Sequence, residues 1–212
     1  MEKVLIVGAN GTTGKQIVMK LKDSSKFEPV AMVRKEDQKA QFETENIQTI
    51  LGDLEKDLTH VVKDVDRVVF AAGSGGGTSD EKTIVIDQES AKRLIDVSKL
   101  SGIKKFVMLS SIGAGHPEDS DSLQVYLKAK HLADEHLKSS GLTYTIVRPG
   151  TLKNDDAVGK IETKDQFEKG GKISRADVAE TLATVVSDDY AQNAIFEMIE
   201  GETPIKDALK AL

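Results

Sequence analysis

Tyr126 and Lys130 stand four residues apart, so on a helix their side chains project from the same side. A phenol has an unperturbed pKa of about 10, too high for an efficient base near neutrality. A neighbouring ammonium favours the phenolate and draws that value toward the working pH, so the pair is equipped to move a proton. Leu123, Leu127, Ala133 and Leu137 share the same face at helical spacing. Spacing alone therefore fits equally well a lysine that snorkels from the edge of an apolar stripe. A second candidate lies near the start of the chain. Gly8-Ala9-Asn10-Gly11-Thr12-Thr13-Gly14 follows the apolar run Val4-Leu5-Ile6-Val7 and precedes the helix-spaced Ile17 and Leu21. In such a turn Gly8 permits the tight bend, Gly11 lets backbone approach a pyrophosphate, and Gly14 lets helix pack closely on strand. The helix amino terminus then offers free N–H groups and a positive dipole end to phosphates. This context predicts a dinucleotide site. No Gly-Lys-Ser/Thr follows the turn, which excludes a nucleotide-triphosphatase loop.

The second strand decides which dinucleotide. An acidic residue at its end hydrogen-bonds the ribose 2′-hydroxyl of NAD, whereas a basic one accommodates the 2′-phosphate of NADP. Here the strand ends Val33-Arg34-Lys35, with Glu36 and Asp37 only afterwards. Arg34 can offer a bidentate fork to a phosphate and Lys35 a point charge. NADP is the expected cofactor, with NAD as the alternative; the competing reading is a solvated charge cluster that opens a helix.

These groups need a scaffold that carries them to one edge. Short β-branched runs alternate with helix-period segments: Val4–Val7, Val30–Val33, Thr49–Leu51, Arg67–Phe70, Lys105–Leu109 and Tyr144–Val147 read as strands. A helix is expected over about 122–140, closed by Gly141. Strands alternating with helices imply right-handed crossovers and a parallel sheet covered on both faces. The predicted fold is therefore α/β, a doubly wound parallel sheet of the Rossmann type, formed by residues 1–212 as one domain. After Arg148-Pro149-Gly150 the pattern weakens. A short strand near 158–163, a helix over 175–186, a strand over 195–199 and a helix over 205–212 are expected. About 151–212 should form a small lobe on the substrate side. Ser74-Gly75-Gly76-Gly77 reads as a flexible loop.

Composition narrows the function classes. The chain has 212 residues and no cysteine, so disulfides, thiolate catalysis and cysteine-ligated metals are excluded. His60, His116, His131 and His136 lack ligand spacing, and no metal site is expected. The net charge is −6 with the two signs interleaved, which argues against nucleic acid as a partner. No apolar run approaches the roughly 20 residues that span a membrane, and no charged, apolar and cleavable segments stand in series at the start. The expectation is a soluble cytoplasmic protein with a small-molecule substrate, its oligomeric state open between monomer and homodimer.

The ordered set Gly8-x-x-Gly11-x-x-Gly14, Gly52-Asp53, Ala71-Ala72-Gly73, Asp87, Ser110-Ser111-Ile112-Gly113-Ala114, Tyr126-x-x-x-Lys130, Arg148-Pro149-Gly150 and Arg175-Ala176-Asp177-Val178-Ala179 resembles the short-chain dehydrogenase/reductase superfamily. The likeness is to its atypical branch of NmrA-like and epimerase/dehydratase-like proteins. The resemblance implies that Gly8, Asn10, Gly11, Thr12, Thr13, Gly14, Arg34 and Lys35 hold the cofactor. It further implies that Asp53 meets the adenine and that Ala71, Ala72 and Gly73 lie against the ribose on the nicotinamide side. By the same resemblance Pro149 would belong to a segment that closes over the nicotinamide, and Lys130 would hydrogen-bond its ribose. Tyr126 would then pass a proton to a carbonyl oxygen as hydride arrives, with Ser111, preferred to Ser110 by its position at the strand end, holding that oxygen. The implied activity is NADPH-dependent reduction of a small carbonyl or sugar-like substrate. The alternatives are a catalytically silent NADP(H)-binding regulator and an NAD-dependent epimerase or dehydratase.

Overall fold

The computed structural model describes all residues, 1–212. In chain order its strands are β1 (Glu2–Val7), β2 (Phe27–Val33), β3 (Gln48–Leu51), β4 (Arg67–Phe70), β5 (Lys105–Leu109), β6 (Tyr144–Pro149), β7 (Thr151–Lys153), β8 (Lys160–Lys164), β9 (Lys172–Ser174), β10 (Ala194–Glu200) and β11 (Thr203–Pro204). The α-helices are α1 (Thr12–Lys22), α2 (Ala40–Glu43), α3 (Asp80–Thr83), α4 (Ala91–Leu100), α5 (Gln124–Ser139), α6 (Arg175–Thr184) and α7 (Ile205–Lys210). A π-helical segment, Ile84–Ser90, joins α3 to α4 without a break.

Nine strands form one sheet in the order β11-β8-β10-β6-β5-β4-β1-β2-β3. All neighbours from β10 to β3 run parallel, while β8 is antiparallel to both β10 and β11. Of residues 151–212, β8, β10 and β11 thus continue the main sheet, and β7 and β9 form a separate parallel pair. Strand alternation feeds two cores. Val4 and Ile6 of β1 pack with Ile17, Val18 and Leu21 of α1 and Val178, Ala179 and Leu182 of α6 on one face. Leu5 and Val7 point the other way, to Leu94 and Ile95 of α4 and Ala133 and Leu137 of α5. Helices on both faces explain why β1 and β4 read as continuous apolar runs. The chain builds outward from β1 to β3, then crosses back to β4 and continues to β6. The strand order therefore reverses between β1 and β4, and that switch point leaves a crevice beyond the carboxyl ends of the strands. Gly141 follows α5 with φ +82°, the left-handed cap expected from the sequence.

The opposite end of the sheet is tied by two buried cations. Arg67, the first residue of β4, pairs bidentately with Asp188 at 2.7 Å and with Glu2, and donates to the Val186 carbonyl. Its neighbour in register, Lys105, is fully buried and donates to the carbonyls of Ser187 and Tyr190. These contacts fasten the turn before β10 to the central strands. Burial pulls the Lys105 ammonium down to about 8. Between that value and the ordinary 10.5 the unfolded chain binds a proton that the folded chain does not, so this group makes stability rise with pH across that window. Wild type should therefore gain on Lys105→Met by about 2–3 kcal/mol between the two ends of the window, read from urea unfolding. Parallel pH profiles for the two proteins would refute the assignment.

Candidate functional site

The crevice is walled first by the turn between β1 and α1. Gly8 has φ +88°, and a Cβ there would lie 2.7 Å from the Ala72 amide nitrogen. A Cβ on Gly14 would lie 2.1 Å from the Gly8 carbonyl oxygen, which is why α1 can start so close to β1. Gly11 differs. Its φ is −75° and its hypothetical Cβ comes no nearer than 3.2 Å to that same oxygen. The protein's own packing demands glycine at 8 and 14 but only mildly at 11, where the backbone faces the crevice. No side chain caps α1 and no acidic residue sits in its first turn, so its leading N–H groups have no intrahelical partner. A phosphate there would find donors and a favourable dipole end.

Two cavities meet along this turn, one of about 850 Å³ and one of about 410 Å³, sharing Gly11 and Ala71–Ser74 as a common wall. The smaller is lined by Gly8, Asn10, Arg34 and Asp53. The larger is lined by Thr12, Thr13, Gly14, Tyr126 and Lys130. The groove thus joins most of the predicted cofactor residues to the predicted proton-transfer pair. Arg34 is exposed; Glu36, the nearest acid in sequence, is paired instead with Lys39 at 2.9 Å. Asp53 accepts a hydrogen bond from the Glu55 amide at 3.1 Å.

Lys130 does not snorkel. It is buried on α5, with its Nζ 3.0 Å from Asp87 Oδ1 and donating to the Leu109 carbonyl at 3.2 Å. The ammonium lies 5.8 Å from the centre of the Tyr126 ring. Burial opposes its charge, yet Tyr126, Asp87 and Asp134 together outweigh that effect and raise its pKa above the ordinary lysine value. Asp87 comes from the π segment, and its other oxygen accepts from the Ser74 amide at 2.9 Å. One carboxylate thereby fixes both the lysine and the root of the glycine loop. A Cβ on Gly73 would lie 3.1 Å from Asp87 Oδ1, so the strand end is kept bare where the carboxylate passes.

Three predicted residues fall outside the groove. Ser111 turns away: its hydroxyl donates to the Ile112 carbonyl at 3.2 Å, and Ser110 takes the place in the cavity wall. Ser110 in turn donates to Asp134 Oδ2 at 2.8 Å, and Arg148 Nε holds the same oxygen at 3.0 Å. Burial dominates at Asp134 and raises its carboxyl pKa despite Arg148 and Ser110. Pro149 is buried in β6, where its carbonyl accepts from the Ile112 amide, and it does not line either cavity. Lys35 is exposed beside the smaller cavity without lining it. The sequence marks Asp87 only by its place in the ordered set and does not single out Asp134. The signal in the sequence is an acid at a core-facing position of each helical segment.

The chain is similar to known proteins over nearly its whole length. The family described as NAD(P)H-binding matches residues 8–189. An uncharacterized sugar epimerase of Bacillus subtilis, YhfK, is 40% identical over 214 residues, spanning 99% of this chain and 100% of that protein. A solved Bacillus halodurans protein, by its name among the NAD-dependent epimerase/dehydratases, is 40% identical with TM-score 0.96 over 100% of both chains. The oxidoreductase ylbE of Lactococcus lactis superposes with TM-score 0.87 at 30% identity, covering 99% of this chain and 96% of its own.

The unequal demands on the glycines can be tested. Gly14→Ala should cost several kcal/mol, because backbone must shift to admit the methyl group. Gly11→Ala should unfold within about 1 kcal/mol of wild type yet bind NADPH at least tenfold more weakly. Equal stability losses in the two variants, or unchanged NADPH affinity in Gly11→Ala, would contradict the reading.

Proposed function

The chain belongs to the NAD(P)H-binding family, and from that premise we propose that it is an NADPH-dependent oxidoreductase acting on a small carbonyl or sugar-like substrate. The observation that carries this reading is Tyr126 beside the buried, charged Lys130 in the larger cavity, across from the amino terminus of α1. The turn Gly8–Gly14 and the uncapped start of α1 are suited to hold the dinucleotide phosphates, with Arg34 on the 2′-phosphate and Asp53 near the adenosine. When bound, the nicotinamide supplies or accepts hydride. Tyr126 Oη gives its proton to the substrate carbonyl oxygen, and the Lys130 ammonium stabilises the negative charge left on the phenol. Asp87 is a positioning residue: it keeps that ammonium charged and in place. Ser111 has no part in this scheme, and the Ser110 proton is directed to Asp134, so of the three hydroxyls Ser110, Ser111 and Tyr126 the last is the proposed donor to the substrate oxygen.

A second reading, sugar epimerisation, is favoured by the name of the 40% identical Bacillus subtilis relative. The two differ in whether the cofactor is consumed. NADPH oxidation in step with loss of an aldehyde, quinone or ketose supports the reductase. Isomerised sugar with no net change in cofactor supports the epimerase.

Tyr126→Phe should lower turnover by on the order of 10²–10⁴-fold while NADPH affinity stays within a factor of two or so of wild type. Full activity in that variant would remove Tyr126 from the mechanism. Arg34→Gln should weaken NADPH by about tenfold, the scale of a lost charge-assisted hydrogen bond, and leave NADH unchanged. An unaltered ratio of the two affinities would remove Arg34 from cofactor choice.

A further inference from the structure

Four basic side chains line the two cavities: Arg34 and Lys82 in the smaller, Lys130 and Arg175 in the larger. Two of them have carboxylate partners within the protein. Lys82 pairs with Glu55, and Lys130 with Asp87. Arg34 and Arg175 have none. Arg175 is half-buried at the first position of α6, and its Nη1 donates to the amide oxygen of Asn154 at 2.8 Å. That contact steadies the guanidinium without neutralising it, because an amide carries no charge. A guanidinium left with donors to spare in a cavity wall is a site for an oxyanion, which its planar fork can meet with two parallel hydrogen bonds.

Position limits which oxyanion this is. Arg175 lines the same cavity as Thr12, Thr13 and Gly14. Helices α1 and α6 lie side by side on one face of the sheet, sharing the core of Ile17, Val18, Val178 and Leu182. Lys20 of α1 and Glu180 of α6 are bridged at 2.7 Å. The starts of both helices therefore open on one space. NADPH carries negative charge in two places, the 2′-phosphate and the pyrophosphate, and the groove has two uncompensated arginines, one in each cavity. We propose that Arg175 is a phosphate-binding residue that clamps the dinucleotide pyrophosphate against the amino terminus of α1. The exposed acids of the larger cavity, Asp80 and Asp121, sit on other segments, at the first position of α3 and ahead of α5. The inference rests on the groove being a dinucleotide site, and it adds a residue from outside the glycine turn to the phosphate grip.

The test is titration calorimetry of wild type, Arg175→Gln and Asn154→Asp with NADPH and with NADH. The pyrophosphate is common to both ligands, so Arg175→Gln should weaken both by the same factor, about tenfold or more. This pattern differs from that of Arg34→Gln, which acts on NADPH alone. Asn154→Asp leaves the arginine in place but sets a carboxylate against it, and should weaken both dinucleotides in the same direction. Arg175→Lys, keeping the charge without the fork, should recover part of the loss. Unchanged affinity for both dinucleotides in Arg175→Gln overturns the proposal. So does a loss confined to NADPH, or an effect confined to the KM of an anionic substrate. Should wild type bind neither dinucleotide, the reading of the groove itself fails, a result separate from failure of the arginine's role.

Discussion

Lys130 and Asp87 are both buried, and they stand 3.0 Å apart as an ion pair. Taking either ion out of water costs several kcal/mol even after relaxation, and removing one partner of such a pair typically destabilises by about 3–5 kcal/mol. The pair is therefore a constraint on everything that must bring the two groups together. Helix α5 has to present Lys130 toward the sheet edge rather than to solvent. The π segment has to bring Asp87 beneath the end of β4, and Gly73 has to leave room for its carboxylate. The second oxygen of Asp87 then holds the Ser74 amide. A single buried carboxylate thus sets the floor of the cavity and the place where the glycine loop departs. π-Helical turns inside α-helices are rare and concentrate at functional sites. Here the wider turn has a visible consequence, which is an inward-facing acid at the carboxyl end of the sheet.

The two ends of the sheet treat buried cations differently. At the amino ends of β4 and β5, Arg67 is paired with Asp188 and Glu2 and donates to a carbonyl, and Lys105 donates to two carbonyls. Those contacts fasten a turn, and the Arg67 charge is answered by protein carboxylates. At the carboxyl ends, the buried Lys130 is likewise matched, but Arg34 and Arg175 carry charge that no protein carboxylate answers. Crevices outside the carboxyl ends of parallel strands are where this architecture binds ligands, and the distribution of unmatched charge falls on the same side.

Much of the scaffold could be read from local pattern. The apolar runs of β1, β4 and β5, the helix around Tyr126, the Gly141 cap and the turn Gly8–Gly14 all declare themselves within a few residues. Their periodicity and backbone demands are local properties. Other features depend on contacts across the chain. The antiparallel placement of β8 and β11 at the sheet edge is set by register against β10, which a half-polar run such as Lys160–Lys164 does not encode. The π segment follows from hydrogen-bond spacing that residue types do not mark. The choice between Ser110 and Ser111 turns on one residue of phase where β5 ends, and a shift of one residue reverses which side a side chain faces. Lys130 shows the same limit. Its position in an apolar stripe fitted a snorkelling lysine and a functional one equally, and only the partner Asp87, from another helix, separates them.

The same criterion distinguishes fold from function in both the glycines and the cations. Gly8 and Gly14 are fixed by atoms of the protein, since any side chain there would strike backbone. Gly11 is held only mildly to glycine by its neighbours, since a Cβ there would lie 3.2 Å from the Gly8 carbonyl oxygen, and its bare backbone opens on the groove. Lys82 and Lys130 are matched by Glu55 and Asp87, while Arg34 and Arg175 are not. A residue whose type is demanded by its own neighbours reports on folding. A residue whose type exceeds what its neighbours demand reports on what the protein meets. Gly11, Arg34 and Arg175, drawn from three separate segments, all lie along one groove. For that reason the dinucleotide reading rests on more than the glycine turn alone.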